Sequence, residues 1–207
     1  VTSLSPTNYF ALRAADLAAG VPPFTATGSM NLPDDPNEGR EEAETWLRER
    51  LVAAGTSVPA GELGALSPEL AADPHRVVGE KLWQLGLQEE AKAELETVRE
   101  SYAGDPLATY QLARFFGELG LYRSSIIAAA ALLRDVGATV FDAPPYLGRL
   151  SYPVYYADLI LPLAEKYSFD PRLQFALVRQ ESLFESFARS GAAAQGLSQV
   201  IPDTGAW

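Results

Sequence analysis

Leu85-Gly86-Leu87 recurs as Leu119-Gly120-Leu121, 34 residues further on, and each copy stands between two apolar-faced helical patterns. A glycine placed there lets one helix end and the next begin at once, so the echo predicts helical hairpins. The helix before each copy carries aromatics in its last turns, Trp83 in one and Phe115 and Phe116 in the other. At helical spacing these rings, with Trp46, are expected in a core rather than on a ligand. Strand signals are nearly absent; Ala138-Thr139-Val140-Phe141 is the best candidate.

The remaining punctuation is helical too. Ser5-Pro6 is expected to open an amphipathic helix through Tyr9, Phe10, Leu12, Ala15 and Leu17, which Gly20 and Pro22-Pro23 end. Residues 21–37 are rich in Pro, Gly, Thr, Asn and Asp and read as a long loop. A second helix is expected from about Glu41 to Ala54 with Trp46, Leu47 and Leu51 inward. Ser67-Pro68 and Asp73-Pro74 start two more. Gly137 to Pro153 reads as a boundary, and Tyr155 to Tyr167 as a helix with Leu159, Leu163 and Ala164 inward and a kink or restart at Pro162. The period of 34 residues is that of a tetratricopeptide-like hairpin. The fold class is therefore all-α, beginning with a helical-hairpin, superhelical array over residues 1–140.

Composition excludes several functions. A net charge of −11 argues against a nucleic-acid partner, because phosphate binding needs clustered Lys and Arg. It also argues against an anionic membrane surface. The chain has no Cys, and its one His, His75, excludes a multi-His metal site and is expected on the surface. No metal or cofactor is implied. The longest apolar run, Ile126 to Leu133, is too short to span a bilayer, so no integral membrane segment is expected. Val-Thr-Ser-Leu-Ser at the start carries no export signal. Val1 is not an initiator Met, so an upstream segment is expected to have been removed or omitted.

The chemical lead lies between Asp170 and Thr204. Asp170-Pro171 is a strong helix start. From there Leu173, Leu177, Val178 and Phe184 share a face, and Glu181 falls on it. A carboxylate held against such neighbours is expected to lose hydration, raise its pKa and serve as a proton donor near neutral pH. A solvated surface role, or an ion pair with Arg179 or Arg189, is the plainer alternative. After the helix, small residues from Gly191 to Gly196 allow close backbone approach, and the Gln199 amide suits sugar hydroxyls or an acetamido group, with loop capping as its competitor. Ser182 and Ser190 are expected to brace the helix and loop, since no His stands near to make either a nucleophile.

Glu181-Ser182, Ser190, Gly196-Leu197, Gln199, Pro202 and Thr204 together resemble the signature of the soluble lytic transglycosylases. These have lysozyme-like domains of the glycoside hydrolase family 23 type and cleave peptidoglycan. The resemblance is strong over residues 150–207. It departs at Ser198, where the family has Met, and at Glu185-Ser186, where it has Asn-Pro. The resemblance implies that residues 141–207 are the N-terminal part of a lysozyme-like α domain that runs on past Trp207, so this stretch alone is not expected to be a complete catalyst. It implies a peptidoglycan glycan strand as partner and cleavage of the β-1,4 bond between N-acetylmuramic acid and N-acetylglucosamine with a 1,6-anhydro product. Glu181 would act as acid and then base, Gln199, Ser190, Ser198 and Gly196 as substrate contacts, and Ser182 and Leu197 as supports. It places the protein in the cell envelope or outside the cell, and leaves the helical repeats as a surface for a protein partner. Two alternatives stay open: a lysozyme-type hydrolase using the same acid, and a non-catalytic scaffold that binds glycan or protein.

Overall fold

The computed structural model describes residues 8–22, 30–33 and 35–206, and divides into two compact units, residues 1–32 and 33–207. In the first unit, α1 (Tyr9–Ala18) begins on Asn8, whose side chain accepts a hydrogen bond from the Ala11 amide at 2.8 Å. Ser5-Pro6, expected to open this helix, lies outside the described residues.

The second unit carries ten helices among the described residues. They run α2 (Arg40–Ala53), α3 (Pro68–Ala72), α4 (Pro74–Gln84), α5 (Gln88–Ser101), α6 (Pro106–Leu119), α7 (Tyr122–Asp135), α8 (Pro145–Ser151), α9 (Ala157–Tyr167), α10 (Pro171–Ser182) and α11 (Pro202–Gly205). The fold is all-α. Four of these helices start on a Ser-Pro or Asp-Pro pair: Ser67, Asp73, Asp105 and Asp170 each accept amide hydrogen bonds from the first turn. The proline fills a position whose amide would have no helical partner.

The sequence echo is a structural one. Leu87 N–H donates to the Leu82 carbonyl at 3.0 Å, and Leu121 N–H to the Phe116 carbonyl at 2.8 Å. Gly86 and Gly120 supply the left-handed residue that this turn requires, at φ 76° and 91°. The next helices start at nearly the same dihedrals, φ −84° and ψ 69° at Leu87 against φ −84° and ψ 67° at Leu121. The hairpins α4–α5 and α6–α7 thus close through the same turn. Where α4 meets α5, Gly79 faces Leu95; a Cβ at Gly79 would lie 2.6 Å from Leu95 Cγ. The positions 34 residues on are Ala113 and Ala129, buried together in one cluster.

Two larger cores hold the array. Leu70, Leu95, Val98, Leu112 and Phe116 form one. Leu47 and Leu51 of α2, Leu63, Tyr110, Leu132 and Leu147 of α8 form the other. Helix α8 lies inside the Gly137–Pro153 stretch, and its Tyr146 and Leu147 complete that second core. The weak strand candidate at 138–141 is a turn, held by the Asp142 carboxylate, which accepts from the Thr139 hydroxyl at 2.6 Å.

Helix α9 departs from its expected orientation. Ile160 and Ala164 are its buried residues, whereas Leu159 and Leu163 are 54% and 48% exposed. The helix packs against α10, and Leu159, Ile160 and Leu163 line an open apolar groove with Tyr167, Phe169 and Leu197. Pro162 sits within α9 without ending it. Among the described residues no helix is long and apolar enough to cross a membrane.

Candidate functional site

Helix α10 buries Phe175, Val178 and Ser182, while Leu173 and Leu177 stay exposed. Glu181 belongs to the exposed side. The apolar enclosure that periodicity suggested is therefore not present. Leu173, Leu177 and Glu181 follow one another at four-residue spacing on a ridge that no described segment covers, and the buried stripe runs one residue further round. Arg179 fixes the helix from its other side: its Nε donates to the Ser151 carbonyl at 3.1 Å, and its guanidinium lies 4.1 Å from the Tyr152 ring centroid.

The chain reverses immediately after Glu181-Ser182. Leu183 and Phe184 are both left-handed, at φ 52° and 64°, a conformation that costs a residue with a Cβ roughly 1–2 kcal/mol. The burial of Phe184 offsets this. Phe184 is 1% exposed and meets the Tyr155 ring edge-on with centroids 5.7 Å apart. Strained backbone held by packing is a recurring property of functional loops.

The motif residues come together in that reversal. Ser182 Oγ donates to the Leu197 carbonyl at 2.8 Å, with the Val178 carbonyl at 3.2 Å. This seats the Gly196–Gln199 turn on the end of α10. Gly196, at φ 72°, donates its N–H to the Ala188 carbonyl at 2.9 Å. Gln199 Nε2 donates to the Ala188 and Gly196 carbonyls at 3.1 and 2.9 Å, so its amide nitrogen braces the loop while the residue lines the same cleft as Glu181. Ser190 Oγ accepts from the Ala192 and Ala194 amides at 3.2 and 3.1 Å. Ser198 Oγ accepts from Gln174 Nε2 at 3.3 Å and, with Leu197, faces the neighbouring apolar groove instead.

An open cleft of about 410 Å³ runs past Glu181. Glu181, Ser182 and Gln199 line it together with Glu89 and Lys92 of α5, Arg123 of α7, and Glu185 and Arg189. The helical array therefore forms part of the cleft, which no local motif had signalled. Elsewhere on α5, burial pushes the Glu96 carboxyl up, but hydrogen bonds from Arg99 and Ser124 and the charges of Arg99 and Arg123 outweigh it and hold the group below its ordinary value. Burial also raises Tyr122, with Tyr156 and Asp158 adding to it. His75 lies apart from the cleft lining, exposed, with Nδ1 2.6 Å from Glu94.

The stretch that carries these residues matches the family model described as Transglycosylase SLT domain, over residues 158–207. That segment is similar to the transglycosylase SLT domain family. The SLT segment thus bears out the resemblance carried by Glu181-Ser182, Gly196-Leu197 and Gln199. The fold of the whole chain is similar to a solved structure of an inactive mutant of the lytic transglycosylase Slt from Pseudomonas aeruginosa, at 21% identity and a TM-score of 0.55. The match covers 95% of this chain and 30% of that one. This chain therefore spans less than a third of the length of that one, and the likeness is one of fold.

Proposed function

We propose that this chain is part of a peptidoglycan lytic transglycosylase of the cell envelope. On this reading residues 1–140 are a tetratricopeptide-like helical region open to a protein partner, and residues 141–207 begin the lysozyme-like domain. The observation that carries the reading is the seating of the Gly196–Gln199 turn on the end of α10 by Ser182, with Glu181 and Gln199 lining the same cleft.

In the proposed reaction Glu181 protonates the glycosidic oxygen between N-acetylmuramic acid and N-acetylglucosamine, and the C1–O bond breaks. The acetamido oxygen of the substrate stabilises the oxocarbenium-like carbon, a substrate-assisted scheme that needs only one enzymic carboxylate. The ionised Glu181 then removes the proton from the 6-hydroxyl as its oxygen attacks C1, which closes the 1,6-anhydro ring without consuming water. Gln199 and Gly196 would contact the sugar, with Ser198 and Ser190 at the edges of the site and Ser182 and Leu197 as its supports. No metal or cofactor takes part.

The test uses the full-length protein on purified cell walls, with product masses. The expected product is lighter by one water than the hydrolytic one, and Glu181→Gln abolishes its release. A hydrated product would indicate a lysozyme-type hydrolase. Undiminished release by Glu181→Gln would overturn the catalytic role, and glycan binding with no release by the wild type would favour a scaffold.

A further inference from the structure

Lys92 and Glu185 are 93 residues apart and form a close ion pair across the cleft. Lys92 Nζ donates to Glu185 Oε2 at 2.9 Å and lies 2.8 Å from Oε1, which is buried and accepts no directed hydrogen bond. The Glu185 side chain is 7% exposed. A carboxylate so far removed from water needs a compensating charge, and Lys92 is the cation placed to give it.

Glu185 is also well situated to transmit position. Its N–H donates to the Ser182 carbonyl at 3.2 Å, one residue beyond Glu181. Two residues on, Phe187 meets Trp83 of α4 edge-on at 5.9 Å and lies 5.8 Å from Lys92 Nζ. The following residue, Ala188, accepts from both Gly196 N–H and Gln199 Nε2. The loop 183–189 thus has Glu181 at its start, Gln199 hanging from its end, and Lys92 of the array fastened to its middle.

We propose that Lys92 is a positioning residue for the Glu181 site: acting through Glu185, it fixes loop 183–189 and with it the separation of Glu181 and Gln199. The consequence for turnover rests on the transglycosylase reading; the consequence for the loop does not. The array is then a working part of the site. The Glu185-Ser186 departure from the family's Asn-Pro acquires a reason, because the carboxylate there is one half of this pair.

The test compares Lys92→Met, Lys92→Arg and the charge-exchanged pair Lys92→Glu with Glu185→Lys, all in the full-length protein. Hydrogen exchange reads the loop directly. In Lys92→Met, amides of 183–199 are expected to exchange about 10-fold faster or more while those of α5 and α7 stay unchanged, since a local tether affects local opening. On peptidoglycan the same variant is expected to lose kcat by about 10-fold with KM altered by less than about 3-fold, the split expected when alignment rather than binding suffers. Lys92→Arg restores both readouts, and the exchanged pair restores them in part. Unchanged loop exchange in Lys92→Met, a uniform rise across the protein, or failure of Lys92→Arg to rescue would each overturn the proposal. If the wild type shows no turnover, the transglycosylase reading fails while the exchange result still decides the role of Lys92.

Discussion

Tyr122 and Tyr155 stack face to face, with ring centroids 3.7 Å apart and planes within 15°. Tyr122 opens α7 of the array, and Tyr155 carries the edge of Phe184 just beyond Glu181. One pair of rings therefore joins the array to the reversal that follows α10. Tyr155→Leu removes the stack and the Phe184 contact together and is expected to cost about 2–4 kcal/mol, the range for losing a well-packed aromatic. Urea denaturation measures this; a change below about 0.5 kcal/mol would mean that the rings touch without holding.

The Tyr155 hydroxyl sets an alkaline limit. Burial is the leading cause that pushes it up to about 12, with Ser125 acting in the opposite direction and Tyr122 and Tyr146 adding to the rise. The unfolded phenol ionises near its ordinary value of 10.0, so the folded state holds its proton more tightly. Its stabilising contribution is full below about pH 10 and is lost as pH rises through about 12. Tyr155→Phe is expected to flatten the fall of the denaturation midpoint over that interval. It does not abolish the fall, because Tyr110, Tyr122 and Tyr146 are raised by burial as well. An unaltered slope would count against the assignment.

Gly79 and Leu95 are expected to be coupled. A methyl at Gly79 would meet Leu95 Cγ at 2.6 Å and Cδ2 at 2.8 Å. Overpacking of that kind costs about 1–3 kcal/mol, against roughly 1 kcal/mol gained in helix propensity. Gly79→Ala should therefore destabilise, whereas Gly79→Ala in a Leu95→Ala background should stabilise, since it recreates the Ala113–Ala129 pairing of the second hairpin. A double-mutant cycle gives the sign. A double variant weaker than Leu95→Ala alone would refute the coupling.

Ser182 holds the Gly196–Gln199 turn through one partly buried hydrogen bond to the Leu197 carbonyl. Ser182→Ala leaves that carbonyl without its donor and is expected to cost about 1–2 kcal/mol, with faster amide exchange concentrated in residues 195–200. Ser182→Thr keeps the hydroxyl and separates the loss of the bond from the change of shape. Exchange equal in wild type and Ser182→Ala would show that the turn is held by other contacts.

Much of the fold was readable because its signals are local. A serine or aspartate before proline caps a helix wherever it occurs, and Gly86 and Gly120 sit where a left-handed residue is needed. The motif from Glu181 to Gln199 was readable for the same reason, being contiguous. What could not be read depends on neighbours that are distant in sequence. Leu159 and Leu163 satisfy helical periodicity as well as Ile160 and Ala164 do, and only the tertiary packing of α9 selects between the stripes. Glu181 shares a periodic face with apolar residues, but the part of that face at Leu173 and Leu177 stays uncovered. Lys92 and Arg123 look like ordinary surface cations on solvated helices until the chain brings α5 and α7 to the cleft.

The 93-residue gap between Lys92 and Glu185 also carries a kinetic meaning. The hairpins close between helices adjacent in sequence, through turns that fix a few residues each, whereas the cleft closes a long loop whose entropy must be met first. Local closure therefore precedes distant closure, and on the ribosome α5 and α7 are complete before Glu185 is made. The array is then a preformed template on which the segment after Glu181 adopts its left-handed reversal. Pulse-labelled exchange during refolding should accordingly protect amides of α4–α7 ahead of those at 183–199.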